Sequence, residues 1–130
     1  MAEHLVVDAS VLVDLLVGSE LATSIRDCLT GHELHAPAHF DAEVLSAMGR
    51  LHRAQLMTAR QITARLGRLA SAPIERHALP PLLAGAWRRR DNLRLVDALY
   101  VELADRLSTK VVTTDARLAG ASSIAEGLTS

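Results

Sequence analysis

The chain has 130 residues, the usual size of one compact domain with a real core. It is 49% hydrophobic and 22% charged, a globular balance, but only 2% aromatic: Phe40, Trp87 and Tyr100 are too few for a stacking platform that grips single-stranded nucleic acid. The formal net charge of −1 hides a basic middle, since ten arginines against two acids between Arg50 and Arg94 make that stretch +8 and leave −9 for the rest. Such asymmetry suggests a polyanion partner on one side and concentrated carboxylates elsewhere, although any single arginine can equally be part of a solvated helix face.

Cys28 is the only cysteine. Neither an internal disulfide nor a cysteine metal cluster can form, which suits a reducing cytosol, and the residue reads as a small buried hydrophobe. No apolar run approaches the roughly 20 residues of a membrane span. Glu3 before the short apolar run lacks the basic start of a signal peptide, so a cytoplasmic protein without a membrane segment is expected.

The elements alternate along the chain. Residues 4–7 read as a short buried strand closed by Asp8, and residues 11–17 as a helical turn that Gly18 and Ser19 break. Residues 20–29 carry helical spacing through Leu21, Ile25 and Leu29; residues 34–36 form a second strand ending at Pro37. Phe40, Val44, Ala47, Met48 and Leu51 form one stripe of an amphipathic helix over 40–54. Thr58 is the expected cap of a helix that runs to residue 70 with Ile62, Leu66 and Leu69 inward. Residues 74–79 suggest a third strand, Pro80 and Pro81 open a helix through Trp87, and Asn92 reads as the cap of the next helix. That helix carries Val96, Leu99, Tyr100, Leu103 and Leu107; residues 110–114 then make the clearest late strand, ended by Asp115.

Helices of this length between short apolar strands predict crossover units and a parallel sheet covered on both faces, within a single domain over residues 1–130. In such sheets ligands bind beyond the carboxyl ends of the strands, where Asp8 and Asp115 both lie. On the helices, Asp97 shares a strip with Val101 and Ala104, and Glu43 with Ala47 and Ala54. A carboxylate leaning toward a core needs a cation, which is either an arginine in a structural ion pair or a metal ion held by oxygens. Asp41 reads as a helix N-terminal charge that reaches the cleft only if its helix starts late, and Asp14 as the partner of an arginine. The six histidines are scattered without zinc-site spacing and read as surface or loop residues; the seven glycines never cluster into a phosphate loop.

Four blocks, VVDASVLVDLL, PAHFDAEVLSAMGRL, NLRLVDALYVELADRL and VVTTDARLA, occur in this order and leave only about residues 53–90 without a matching motif. Together they resemble a PIN domain, and most closely the VapC ribonuclease toxins of bacterial toxin–antitoxin pairs. The resemblance implies a PIN-like three-layer α/β/α sandwich with a central parallel sheet. It implies a metal-dependent endoribonuclease whose acids are Asp8, Glu43, Asp97 and Asp115, with Ser10 and Thr113 as accompanying hydroxyls. On that reading Asp8, Asp97 and Asp115 bind one Mg²⁺ or Mn²⁺, and Glu43 binds a second ion or orients the attacking water. Arginines of the basic middle, Arg88, Arg89 and Arg90 above all, grip RNA phosphates without reading sequence. A homodimer silenced by a VapB-like antitoxin is also implied. The rival from another class is a PIN fold that captures RNA or a partner without cutting. A receiver-type signalling domain fits less well, since Asp8 stands alone and Lys110 begins its strand. Crowded carboxylates further predict that neutralising one of them, Asp97, relieves the metal-free fold.

Overall fold

A computed structural model describes residues 3–128. Five short strands form one sheet: β1 (His4–Val7), β2 (Glu33–Pro37), β3 (Ile74–His77), β4 (Val111–Thr113) and β5 (Ala125–Gly127). Every pairing is parallel and the spatial order is β3-β2-β1-β4-β5. The connections are α1 (Ala9–Val17), α2 (Ala22–Leu29), α3 (Phe40–Arg53), α4 (Ala59–Ala70), α5 (Leu83–Arg88), α6 (Leu95–Arg106) and α7 (Ala116–Ala121). Strand order runs outward in one direction from β1 to β3 and in the other from β1 through β4 to β5. Right-handed crossovers therefore place α1–α4 on one face and α5–α7 on the other, which is the expected three-layer α/β/α sandwich.

Strand β1 has the predicted bounds, and its Leu5, Val6 and Val7 are almost fully buried, as a central parallel strand requires. Helix α4 begins as expected: the Thr58 hydroxyl accepts from Gln61 N at 3.1 Å while the Gln61 side chain accepts from Thr58 N at 2.9 Å, a reciprocal capping box. Helix α6 is buried at eight consecutive positions from Asp97 to Ala104, so it lies between the sheet and other elements with little solvent-facing side.

Some boundaries differ from expectation. Asn92 is not a cap: its amide and that of Leu93 both donate to Arg89 O, which closes a turn, and α6 starts two residues later with Arg94 in the cap position. Pro80 and Pro81 open a 3₁₀ turn over Pro80–Leu82 that continues into α5. β3 stops at His77, and β5 carries too little apolar sequence to have been predicted.

The histidines are not all scattered. Register pairs Val6 with His35 and His35 with Glu75, while His4 pairs with Glu33, so side-chain alternation puts His4, His35 and His77 on one face of adjacent strands. The His4 Nδ1 to His35 Nε2 distance is 2.8 Å and the His35 Nδ1 to His77 Nε2 distance is 2.9 Å.

Candidate functional site

The sheet changes direction between β1 and β4, and this switch point is where a doubly wound fold opens a crevice. Asp8 ends β1 and occupies the cap position of α1, yet its side chain makes no capping bond. Its Oδ2 instead accepts from Ser10 Oγ at 2.6 Å and from Thr113 Oγ1, on the neighbouring strand, at 2.8 Å. Ser10 and Thr113 also meet each other at 3.1 Å, and their oxygens accept from Thr114 N and Asp115 N. The two hydroxyls thus fasten the ends of β1 and β4 together around one carboxylate. Burial raises the Asp8 pKa, and although the two hydroxyl donors oppose that shift, the nearby Asp97 charge adds to it.

Five acids, Asp8, Asp14, Glu43, Asp97 and Asp115, line one open cleft of about 330 Å³, with Ser10, Arg50 and Arg94 on the same wall. The structure therefore brings together all four of the acids that the sequence singled out. Asp115 caps α7, its Oδ1 accepting from Arg117 N at 2.9 Å. Asp97 is 4% exposed and its Oδ2 accepts from Arg94 Nε at 3.1 Å and from Arg117 Nη1 at 3.0 Å. Arg117 Nη2 donates to Asp115 Oδ2 at 2.9 Å, so one guanidinium bridges two of the acids. Glu43, in the first turn of α3, accepts from the Tyr100 hydroxyl at 2.6 Å. Burial pushes the Tyr100 phenol well above its ordinary pKa, and the Glu43 charge adds to this, so the tyrosine remains a donor at any working pH.

Two expectations are corrected here. Asp14 does not pair with an arginine; it accepts from Thr114 Oγ1 at 2.7 Å and faces the cleft. Asp97 is not an uncompensated charge, because the two arginines already neutralise it. Asp41, in the first turn of α3, stays out of the cleft and holds Arg76 through two bonds of 2.9 and 3.1 Å. The arginine triplet also lies outside the cleft lining. Arg89 is engaged by Glu102 and Asp105, and Arg90 stacks on Trp87 with its guanidinium carbon 4.7 Å from the ring centroid. The cations that line the cleft are Arg50 and Arg94. Arg117, Tyr100 and Asp14 are the site residues that sequence reasoning missed or misplaced. The hydroxyl of Tyr100 gave no signal, because its ring fits a core stripe.

The donor set is all oxygen, with no histidine or cysteine on the cleft wall. That chemistry suits a hard divalent cation rather than zinc. Among the described residues no three of the cleft carboxylates converge within 4.8 Å, the spacing at which three ligand atoms could share an ion. Arg117 and Tyr100 hold them in separate hydrogen bonds.

The family model described as PIN domain matches residues 5–123. Ribonuclease VapC3 of Mycobacterium tuberculosis is 54% identical over 120 residues, covering 92% of this chain and 88% of that protein. Ribonuclease VapC12 of the same organism is 33% identical over 115 residues, covering 88% and 89%. A crystal structure of PAE2754 from Pyrobaculum aerophilum superposes with a TM-score of 0.70 at 23% identity, over 98% of this chain and 84% of that one, which shows a shared fold. The chain belongs to the PIN-domain family and, within it, to the VapC ribonucleases.

Proposed function

We propose that the chain is a metal-dependent endoribonuclease, the toxin half of a VapBC-type pair, acting as one PIN domain over its whole length. The observation that carries this reading is the oxygen-lined acid cleft at the switch point of the sheet. A divalent ion held there, Mg²⁺ or Mn²⁺, would lower the pKa of the attacking water and offset charge on the scissile phosphate. Asp8, Asp97 and Asp115 are the residues to hold it. Ser10 and Thr113 orient Asp8 through its Oδ2, which would set the carboxylate toward the ion. Glu43, fixed by Tyr100, accepts a proton from the attacking water or holds a second ion. Arg50 and Arg94 sit on the cleft wall in position to meet RNA phosphates. Of the predicted triplet, Arg88 and Arg90 remain available for phosphate, whereas Arg89 is held by two carboxylates.

An apolar groove supports the protein partners of this reading. Leu83, Ala86, Trp87, Leu95, Val96 and Leu99 line it, and Trp87 is 56% exposed. A large exposed indole among leucines suits a protein interface, with a second copy of the chain or a VapB-like antitoxin. No helix among the described residues is long and apolar enough to cross a membrane, and we place the protein in the cytoplasm.

One observation favours the alternative of RNA or partner capture without cleavage: Arg117 already occupies the gap between Asp97 and Asp115. Incubating the purified chain with a pool of cellular RNAs in Mg²⁺, Mn²⁺ or EDTA separates the two. The ribonuclease reading expects defined fragments with either ion, none in EDTA, and none from a folded Asp8→Asn variant. Intact RNA in all conditions, or cleavage by Asp8→Asn at the parental rate, overturns it.

A further inference from the structure

Away from the acid cleft, three imidazoles and two carboxylates form a second cluster of a different chemical kind. His4 opens β1, four residues or roughly 13 Å of extended strand before Asp8. His4 Nδ1 lies 2.8 Å from His35 Nε2 and 3.1 Å from Glu33 Oε2. On the other side of the same ring, His35 Nδ1 lies 2.9 Å from His77 Nε2 and 3.3 Å from Glu75 Oε2. Each triad, His4–Glu33–His35 and His35–Glu75–His77, has its ligand atoms within 4.8 Å of one another. His35 is buried, with its side chain 6% exposed, while Glu33 and Glu75 are 60% and 68% exposed.

From this geometry we infer a transition-metal site, for Zn²⁺ or a cation of similar softness, formed by His4 Nδ1, Glu33 Oε2 and His35 Nε2 with water in the fourth position. Two nitrogens and one oxygen are zinc ligands, unlike the all-oxygen cleft. Tetrahedral bonds of about 2.0–2.2 Å separate neighbouring ligand atoms by roughly 3.3 Å. The observed 2.8 and 3.1 Å therefore need to open by about half an ångström or less, and the side chains that must move, His4 at 43% exposure and Glu33, are the exposed ones. His35 is the anchored ligand.

The choice between the two triads follows from what His35 does with its other nitrogen. A metal-bound imidazole characteristically donates its remaining N–H to a carboxylate. With the ion on Nε2, Nδ1 faces Glu75 and His77 and has that partner. With the ion on Nδ1, Nε2 faces the ring of His4 instead. Ions on both sides at once would require His35 to lose its last ring proton, so the cluster takes one ion per chain.

The test uses the full chain with Asp8→Asn and Asp115→Asn, which disables the acid cleft, and zinc chloride as the probe. Equilibrium dialysis then counts bound Zn²⁺, and zinc X-ray absorption reports whether imidazole surrounds it. We expect one Zn²⁺ per chain with imidazole scattering, unaffected by excess Mg²⁺. Adding His4→Gln or Glu33→Gln, both at exposed positions that leave the core intact, abolishes binding. Adding Glu75→Gln weakens it by roughly 10- to 100-fold, the usual effect of losing an outer partner. No zinc bound, or zinc bound without imidazole scattering, reduces the cluster to a hydrogen-bonded ladder and overturns the site. Loss in Glu75→Gln or His77→Gln with His4→Gln unaffected overturns the assignment to this triad. None of these outcomes depends on whether the chain cleaves RNA.

Discussion

Asp8 and Asp97 lie on the same cleft, yet neutralising each should move the stability of the metal-free protein in opposite directions. Burial raises the Asp8 pKa, with the Asp97 charge adding to the shift, and what opposes it is hydrogen bonding from the Ser10 and Thr113 hydroxyls and the Ala9 backbone, with no cation among the causes. A carboxyl that holds its proton more tightly folded than unfolded costs stability at every pH above its folded pKa. That cost shrinks as pH falls toward the ordinary value of 3.8 and is gone below it. Asparagine copies the protonated form and can accept the same two hydroxyl bonds. Each unit of elevation is worth about 1.4 kcal/mol, and for a chain of this size 1 kcal/mol moves Tm by roughly 3–5 °C. Asp8→Asn in EDTA at pH 7 should therefore melt several degrees above the parent, and the advantage should narrow as pH is lowered toward 4.

Asp97 behaves differently because Arg94 and Arg117 already neutralise it. Those arginines are 62% and 48% exposed, so water screens the pairs, and losing them costs about 1 kcal/mol rather than the several expected of a fully buried pair. Asp97→Asn should melt about 3–5 °C below the parent in EDTA. Adding Mg²⁺ at 100 times its dissociation constant should stabilise the parent by about 2.7 kcal/mol and both variants by less. Differential scanning calorimetry across pH, with and without Mg²⁺, reads all of these shifts. An Asp8→Asn protein that melts below the parent at pH 7 in EDTA, or whose advantage does not change with pH, refutes the account of the buried carboxylate.

Tyr100→Phe keeps the buried ring and removes the 2.6 Å bond to Glu43. Because Glu43 is 32% exposed and water can replace the donor, Tm should fall by only a few degrees, about 1 kcal/mol, while kcat for RNA falls more steeply than KM rises; unchanged kcat would remove Glu43 orientation from the mechanism. Arg50→Ala and Arg94→Ala should each lower the salt slope of RNA binding by about 0.7, whereas Arg89→Ala should leave the slope intact and lower Tm by releasing Glu102 and Asp105. A slope that responds to Arg89 and not to Arg94 would place the RNA path along α5 instead of the cleft.

The acids were legible because of where they stand. Asp8 and Asp115 close apolar runs, and in a parallel sheet strand ends of this kind share a crevice. Asp97 was legible through its i+4 and i+7 neighbours, since a charge that shares a strip with Val101 and Ala104 must enter the interior with them. What holds these acids was hidden. Tyr100 and Glu43 are 57 residues apart, and a tyrosine on an apolar stripe looks the same whether or not its hydroxyl meets a carboxylate. Arg117 sits within the last recognisable block, but only the side chain's path shows that it turns back to bridge Asp97 and Asp115. The arginine triplet divides for the opposite reason: consecutive residues at a helix end point in different directions, so Glu102 and Asp105 engage Arg89 while Arg90 lies over Trp87, and a run of like charge is not one patch.

The histidines show most clearly why spacing was insufficient. Zinc motifs recognisable in sequence place ligands a few residues apart on a turn or helix, where local geometry alone brings them together. Here His4 and His35 are 31 residues apart, and His35 and His77 are 42 apart, separations set by the lengths of the helical crossovers. Parallel pairing converts those separations into direct neighbours, because each crossover returns the chain to the same end of the sheet and alternation then decides which face each side chain takes. The same operation places Thr113 against Asp8 across 105 residues. That Asp8 and Asp115 share the crevice was foreseeable because a charged strand end marks its own position, whereas a hydroxyl or histidine within a strand marks nothing until the register is known. In folds of this kind, clusters along the sheet should therefore be sought by aligning predicted strands row by row, with the crossover lengths left free.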